Sequence, residues 1–291
     1  MPNPWILAFR PKTLPTAVAP VVIGTAMAYG RGLHDWTMAL TALFAALTIQ
    51  IGTNLANDYF DFIKGADTPE RVGPTRVTQA GLIAPSVVRN AMILVFGLSA
   101  LSCLVLVMHA GWPILIIGII SILSGIFYTA GPRPLGYMGL GEVFVLIFFG
   151  PVAVGGAYYV QALEFSWAAV VAGLAPGFLS MAVLAVNNLR DIDTDRRAKK
   201  NTLSVRYGRS FALNEYLFAI IAAGITPILV YVLTNAHVWS LLSVTVVFWA
   251  IPVIKTVLTK QDGPSLNGAL ASTGKLLLIY SALFAIGWII R

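Results

Sequence analysis

Two short acidic clusters hold most of the side chains in this sequence that are suited to chemistry. The first runs from Asn54 to Asp61 and the second from Asn187 to Asp195. The chain has only 12 Asp and Glu residues among 291, yet most of its aspartates fall in or beside these clusters. These aspartates are Asp58, Asp61, Asp67, Asp191, Asp193 and Asp195. Because grouped carboxylates repel each other unless they are protonated or bridged, the pattern indicates a site that binds cations.

The ligand types in the clusters favour a hard divalent ion. Carboxylate and amide oxygens without His or Cys suit Mg²⁺, which keeps several waters and binds phosphate oxygens together with one or two carboxylates. A ligand that carries a diphosphate fits this preference. Nearby basic side chains are expected to neutralise the remaining phosphate charge, and Arg is suited to bidentate contact. They are Lys64, Arg71, Arg76, Arg190, Lys199, Lys200 and Arg206.

Both clusters use a spacing that places side chains on one face of a helix, since residues four apart lie one above the other. The first polar stripe consists of Gln50, Asn54, Asp58 and Asp61. The second consists of Asn187, Asp191, Asp195 and Lys199, with Asp193 pointing off it. Polar groups at the end of an apolar span are costly to expose to lipid, so we expect both stripes to face a common cavity.

The remaining sequence is apolar enough to hold these clusters in a membrane. Hydrophobic residues make up 58% of the chain, charged residues 11%, and the mean hydropathy is +0.82, values that exclude an ordinary soluble domain. Several stretches approach the roughly 20 residues that a helix needs to span the hydrocarbon. They lie near residues 14–30, 38–53, 91–108, 112–130, 141–161, 166–186, 212–233, 238–258 and 271–290. The sequence therefore predicts one all-α integral membrane domain over residues 1–291, with about nine transmembrane helices around a central cavity.

The basic residues predict the orientation of these helices. With the N-terminus inside, 17 of the 19 Lys and Arg residues fall on the cytoplasmic side, and only Arg31 and Arg291 fall outside. Both acidic clusters then lie at the cytoplasmic face of the cell (inner) membrane. This distribution accounts for much of the net charge of +7, so nucleic acid is not an expected partner. The only cysteine, Cys103, lies in an apolar stretch, which excludes an intrachain disulfide and a cysteine metal site.

The two clusters begin alike, because Asn54 and Asp58 recur as Asn187 and Asp191 at an interval of 133 residues. This hints at an internal duplication, although a match of so few residues is weak evidence for one.

The clusters resemble the two aspartate-rich motifs of the UbiA family of intramembrane aromatic prenyltransferases, which follow the second and sixth of nine helices. Three stretches are most similar to the branch of that family that acts on 1,4-dihydroxy-2-naphthoate in menaquinone biosynthesis. They are residues 57–67, 128–142 and 187–206. The chain departs from the generic motifs at Gly65 and Lys199, where a third acidic residue is expected, and these differences disfavour a 4-hydroxybenzoate enzyme.

The resemblance implies transfer of a polyprenyl group from an isoprenoid diphosphate to 1,4-dihydroxy-2-naphthoate, with loss of CO2 and diphosphate, giving demethylmenaquinone. The expected partners are these two substrates and membrane lipid, and the expected cofactor is Mg²⁺. The implied metal ligands are Asn54, Asp58, Asp61, Asp191 and Asp195. The implied catalytic residues are Asp58, Asp61, Asp191, Asp195, Lys64 and Tyr128. The implied substrate-binding residues are Asn54, Arg76, Asn187, Arg190, Lys200, Arg206 and Arg133.

Alternatives stay open for single residues and for the function. Tyr128 either steers the reacting cation or anchors a helix at the interface, and Arg133 either binds the acceptor carboxylate or is an ordinary cytoplasmic charge. A related enzyme that uses homogentisate or 4-hydroxybenzoate is the main alternative function. A cation-coupled transporter is less favoured, because its charged site normally lies near the bilayer midplane and these clusters lie at one face.

Overall fold

The computed structural model describes residues 3–67 and 72–290, and all regular elements in those ranges are helical. The α-helices are α1 (Pro4–Phe9), α2 (Pro15–Tyr29), α3 (Trp36–Ile63), α4 (Pro85–Ala110), α5 (Trp112–Phe127), α6 (Gly141–Ile147), α7 (Ala153–Ala162), α8 (Trp167–Ala172), α9 (Leu174–Arg197), α10 (Leu203–Thr234), α11 (Val246–Thr259) and α12 (Gly263–Ile289). Short 3₁₀ turns cover Pro11–Thr13, Leu135–Tyr137 and Val238–Thr245, and a π turn covers Phe148–Val152. Two basic residues named above, Arg71 and Arg291, lie outside the described residues.

The prediction of a multi-pass all-helical membrane protein is confirmed, but the count of nine spans is not. Within the described residues, seven helical segments are long and apolar enough to cross a membrane, and the bent pair Pro4–Thr13 and Pro15–Tyr29 would make an eighth. The remaining apolar helix, α5, has 16 residues. At 1.5 Å per residue it covers about 24 Å, less than the roughly 30 Å of hydrocarbon.

The first helical segment is broken between α1 and α2. Arg10 adopts a left-handed conformation with φ of 52°, which ends α1, and Pro11 and Pro15 begin the next two elements. The two halves meet at 49°. As a result, the carbonyl of Phe9 and the hydroxyl of Thr13 face the end of α3, where the first acidic cluster lies.

Helix α9 occupies the centre of the molecule and carries the second cluster at its C-terminal end. In an 18-residue apolar window of the span that contains it, Trp167–Arg197, 72% of the residues are buried, against 22% for such a window of Val238–Thr259 at the periphery. Small residues permit this packing: a Cβ atom on Gly177 would lie 2.5 Å from the carbonyl oxygen of Leu146. Helix α6 and the π turn that follows it can therefore lie directly against α9, and both line the cavity described below.

Candidate active site

A cavity of about 350 Å³ extends from the acidic clusters into the apolar interior. Its residues on α3 run from Asp61 back to Ala42, which is about 28 Å of helix at 1.5 Å per residue. The polar end is lined by Asn54, Asn57, Asp61, Arg76, Tyr137, Asn187, Asn188, Asp191, Asp195 and Lys200. The apolar end is lined by side chains that include Leu106, Ile114, Ile117, Phe144, Phe148 and Val160. Both predicted stripes thus contribute side chains to one polar end, as expected from the sequence.

Asp61 is the most highly coordinated carboxylate of the first cluster, and it is 1% exposed. Its Oδ2 accepts hydrogen bonds from Nη2 of Arg76 at 2.9 Å and from Nζ of Lys200 at 3.0 Å. Its Oδ1 accepts one from the hydroxyl of Tyr137 at 2.7 Å. Nε of Arg76 also lies 3.2 Å from Oδ2 of Asp67. Two cations and a phenol therefore compensate a carboxylate that is removed from solvent.

Asp58 has a different environment. Its Oδ2 accepts from the backbone N–H of Val77 at 3.1 Å and its Oδ1 from that of Thr78 at 3.0 Å. Asp58 therefore holds the backbone of residues 77 and 78 against the end of α3. It is not among the cavity-lining residues. Its role as a metal ligand stays a prediction.

Asn54 faces the cavity with its amide orientation set by the N-terminal bend. Its Nδ2 donates to the carbonyl of Phe9 at 3.0 Å and to Oγ1 of Thr13 at 3.1 Å. Gln50, one turn earlier, donates to the same hydroxyl at 3.2 Å. Because both amide hydrogens of Asn54 are used, its oxygen remains as an acceptor for another ligand.

The second cluster is organised around Arg190, which is 8% exposed. Its Nε and Nη2 donate to the two carboxylate oxygens of Asp191 at 2.8 and 2.5 Å, a bidentate ion pair. Nη2 also donates to Oδ1 of Asn187 at 2.9 Å, and Nη1 donates to Oδ1 of Asn267 on α12 at 2.7 Å. Asp191 and Asn187 line the cavity, whereas Arg190 lies behind them. Arg190 thus supports the cavity wall instead of forming its surface.

The end of α9 separates residues that face the cavity from residues that face outward. Asp195 lines the cavity, and its backbone carbonyl accepts from the N–H of Lys200 at 2.9 Å. Lys199 is exposed, with a left-handed φ of 56°, and this turn directs Lys200 inward. The side chain of Asp193 is 88% exposed, as expected from its position off the stripe.

The other predicted residues fall into two groups. Tyr128 lines the cavity. Lys64 donates from Nζ to the carbonyls of Thr129 at 2.6 Å and Gly131 at 2.9 Å, which joins the end of α3 to the segment after α5. Burial lowers the pKa of the Lys64 ammonium. The second group is exposed and consists of Lys64, Arg133 and Arg206. None of these three lines the cavity, and Nη2 of Arg206 donates to the carbonyl of Met138 at 2.7 Å.

Sequence reasoning missed three contributors to the site. Tyr137 lines the cavity and binds Asp61, and burial together with the Asp61 charge raises its pKa, so its hydroxyl is a donor at neutral pH. Glu142 accepts from Nδ2 of Asn188, which lines the cavity, at 2.8 Å. Tyr137 and Glu142 lie in the stretch 128–142 that carried the family resemblance, so that stretch was a usable signal. Asn267 had no such signal, because it lies outside both acidic clusters and outside the three stretches that carried the family resemblance.

The donor set fits Mg²⁺ only together with a phosphate ligand. Among the described residues, no group of three or more His, Cys, Asp or Glu side chains is arranged to hold a metal ion. One or two carboxylates with phosphate oxygens and water are, however, the usual shell of Mg²⁺. A buried donor at the cavity also suits a phosphate: Nη1 of Arg76 has no hydrogen-bond partner among the described residues. The site is therefore compatible with a magnesium diphosphate.

A family model, curated relatives and a solved structure all relate this chain to the UbiA family. The family model described as "UbiA prenyltransferase family" matches residues 17–279. The chain is 39% identical over 290 residues to the 1,4-dihydroxy-2-naphthoate octaprenyltransferase of Escherichia coli, covering 97% of this chain and 94% of the relative. It is 40% identical over 277 residues to the protein of that name from Mycobacterium tuberculosis, covering 95% and 94%. A UbiA homologue from Archaeoglobus fulgidus, solved with DMAPP and Mg²⁺, shares the fold with a TM-score of 0.66 at 17% identity, covering 98% of this chain and 99% of that one.

Proposed function

Because the chain belongs to the UbiA prenyltransferase family, we propose that it transfers a polyprenyl group from an isoprenoid diphosphate to 1,4-dihydroxy-2-naphthoate. The reaction forms a carbon–carbon bond to the naphthoate ring, breaks the carbon–oxygen bond to diphosphate, and releases the ring carboxylate as CO2. The product is demethylmenaquinone, formed in its reduced quinol state. The naphthoate branch is supported by relatives of that name at 39% and 40% identity over nearly the whole chain.

One observation carries this proposal: a single cavity joins a charged end to an apolar chamber. A diphosphate needs cations and hydrogen-bond donors, whereas a polyprenyl chain needs an apolar wall. The same cavity offers Arg76 and Lys200 at one end and Leu106, Ile114 and Phe148 at the other. A donor that has both parts in one molecule matches this arrangement.

The residues at the polar end have distinct proposed roles. Asn54, Asp61, Asp191 and Asp195 line the cavity and would hold Mg²⁺ with the diphosphate, with Asp58 behind them. When bound, Mg²⁺ supplies electrostatic stabilisation of the charge that develops on the leaving diphosphate. Nη1 of Arg76 and Nζ of Lys200 are positioned to donate to the phosphate oxygens. Departure of the diphosphate leaves positive charge on the allylic carbon, which the electron-rich naphthoate ring attacks.

The apolar walls have a chemical purpose beyond binding the chain. An allylic cation reacts with water, so product forms only where water is excluded. The proposed neighbours of the reacting carbon are Tyr128 and the stacked pair Phe144 and Phe148, whose ring centroids are 5.7 Å apart. An aromatic face attracts positive charge through its quadrupole, which favours the cation over water at this position.

We place the enzyme in the cell (inner) membrane with its N-terminus and polar cavity end on the cytoplasmic side. The support is the distribution of Lys and Arg, of which 17 out of 19 agree with this orientation. The donor and the prenylated product are lipid-soluble, so they are expected to enter and leave through the bilayer.

The test is an assay in isolated membranes with 1,4-dihydroxy-2-naphthoate, a polyprenyl diphosphate and Mg²⁺, in which prenylated product and CO2 are measured together. The variants are Asp61→Asn and Asp191→Asn, and the matched control is Asp193→Asn, whose side chain is exposed on the same helix as Asp191. We expect product and CO2 in equal amounts from the wild type and the control, and almost none from the two site variants or after chelation of Mg²⁺.

Other outcomes would revise the proposal in defined ways. Homogentisate and 4-hydroxybenzoate, supplied in turn, identify the acceptor if the naphthoate yields nothing. Diphosphate release without prenylated product would retain the donor site and reject the acceptor. Full activity of Asp61→Asn and Asp191→Asn would reject the assignment of the two clusters.

A further inference from the structure

Tyr137 has a central position between the two acidic clusters that its place in a short loop does not predict. Its hydroxyl donates to Oδ1 of Asp61 at 2.7 Å. Its ring lies beneath two ammonium groups, with Nζ of Lys200 4.8 Å and Nζ of Lys64 5.1 Å from the ring centroid. Its carbonyl accepts from the N–H of Asn201 at 2.9 Å, which ties the loop to the segment after α9. One side chain therefore contacts the carboxylate of one cluster and the lysine that follows the other.

The partners of Asp61 differ in how readily they can be exchanged. Oδ2 is held by Arg76 and Lys200, which are long cationic side chains that line the cavity. A bound diphosphate carries more negative charge than one carboxylate, so it competes for both cations. Tyr137 holds Oδ1, and its backbone is anchored to Asn201. A diphosphate bound at this end would thus draw the cations away from Oδ2 and leave Oδ1 on the phenol.

We propose that Tyr137 is a positioning residue whose hydroxyl fixes Asp61 so that Oδ2 is presented to the Mg²⁺ of the bound diphosphate. Its ring keeps the ammonium group of Lys200 beside that oxygen through a cation–π contact, which guides the lysine onto the phosphate. This inference depends on the proposed function, because it assumes a magnesium diphosphate at the polar end of the cavity. The contacts on the two parts of the side chain are separate, so the hydroxyl contact can be removed while the ring contact is kept.

The experiment measures binding without turnover. Purified protein is titrated calorimetrically with a non-reactive prenyl thiolodiphosphate at several Mg²⁺ concentrations, for the wild type, Tyr137→Phe and Tyr137→Leu. Tyr231→Phe, near the opposite end of α10 from the site, is the matched control. Tyr137→Phe removes the hydroxyl and keeps the ring beneath the lysines. We expect it to raise the Mg²⁺ concentration for half-maximal binding about tenfold, the effect of losing one hydrogen bond to a charged group.

At saturating Mg²⁺, the affinity of Tyr137→Phe for the analogue should return to within about twofold of wild type, since the lysines stay on the ring. Tyr137→Leu removes both contacts and should weaken analogue binding at every Mg²⁺ concentration. In the Asp61→Asn background, Tyr137→Phe should have no further effect on the Mg²⁺ requirement, because the hydroxyl acts through that carboxylate.

The inference is overturned if Tyr137→Phe needs no more Mg²⁺ than wild type, or if its affinity falls equally at all Mg²⁺ concentrations, as a merely structural role predicts. It is also overturned if Tyr137→Phe raises the Mg²⁺ concentration for half-maximal binding as much in the Asp61→Asn background as in the wild type. Failure of the proposed function has a different signature: the wild type itself would not bind the analogue. If the wild type binds it with Mg²⁺ but makes no prenylated naphthoate, the acceptor assignment fails and the role of Tyr137 stands.

Discussion

The two acidic clusters look alike in sequence but are stabilised in opposite ways. Asp61 in the first cluster is held by residues 15, 76 and 139 positions away along the chain. Asp191 in the second is paired with its immediate neighbour, Arg190, on the same helix. Even the matching asparagines differ, because Asn54 donates to the N-terminal bend, whereas Asn187 accepts from Arg190.

This difference shows what a shared motif does and does not determine. The i and i+4 spacing places the same residue types on one helix face in both cases. The compensating charges come from whatever packs against that face. For α3 they are Arg76, before α4, and Lys200, after α9, whereas for α9 the charge is the neighbouring Arg190. The two clusters therefore share residue types and spacing, but their side chains do not have corresponding hydrogen-bond partners.

The largest expected effect comes from the local pair. Asp191→Leu leaves the buried guanidinium of Arg190 without its bidentate partner, and we expect a loss of about 3–5 kcal/mol of stability. The double variant Arg190→Met with Asp191→Leu removes both charges and should recover most of that loss without recovering activity. Thermal unfolding of the purified variants in detergent measures both. A double variant no more stable than the single one would contradict the pairing.

The next effect concerns Asp58, which accepts hydrogen bonds from the backbone of residues 77 and 78. Asp58→Ala leaves the backbone N–H groups of Val77 and Thr78, both buried, without acceptors. Each unsatisfied group costs about 1–3 kcal/mol. Asp58→Asn retains one acceptor and should lose less. Hydrogen exchange of the Val77 and Thr78 amides measures the change directly, with Asp193→Ala as the control. Unchanged protection of these amides in Asp58→Ala would show that Asp58 does not hold residues 77 and 78 in place.

A smaller effect compares two adjacent lysines. Lys200 contacts Asp61 and lines the cavity, whereas Lys199 is exposed. Lys200→Met should weaken binding of a prenyl thiolodiphosphate about tenfold, the effect of removing one charge-assisted hydrogen bond. Lys199→Met should change it less than about twofold, because an exposed charge is largely screened. Equal losses in the two variants would mean that only overall charge matters at this end of the cavity.

The smallest effect concerns the backbone at the end of α9. Lys199 has a φ of 56° at the position where helices commonly place glycine. Lys199→Gly should therefore raise stability by about 1 kcal/mol, because glycine avoids the steric cost that an L-residue has in this conformation. Lys199→Val should lower it, since a β-branched side chain is poorly accommodated there. The thermal unfolding midpoints of both variants, beside wild type, measure the difference, and a lower midpoint for the glycine variant would contradict it.

Hydrophobicity and spacing were sufficient to predict the helical membrane class and the shared cavity. Runs of apolar residues and the cost of exposing polar groups to lipid are local properties that need no knowledge of packing. The number of complete spans was less predictable, because α5 is short and the first segment bends at Arg10. Neither feature changes the mean hydropathy of the stretch in which it occurs.

What the sequence by itself determined is a part of the polar end: the predicted residues Asn54, Asp61, Asn187, Asp191 and Asp195 all line the cavity. Their types and helical spacing were enough, since a helix repeats every 3.6 residues wherever it lies. Only the tertiary structure decided which partners each carboxylate has. It placed the backbone of residues 77 and 78 on Asp58, and it brought Tyr137 and Asn267 to the site. Apart from the neighbouring pair Arg190 and Asp191, these contacts join residues separated along the chain, and their geometry depends on how the helices pack.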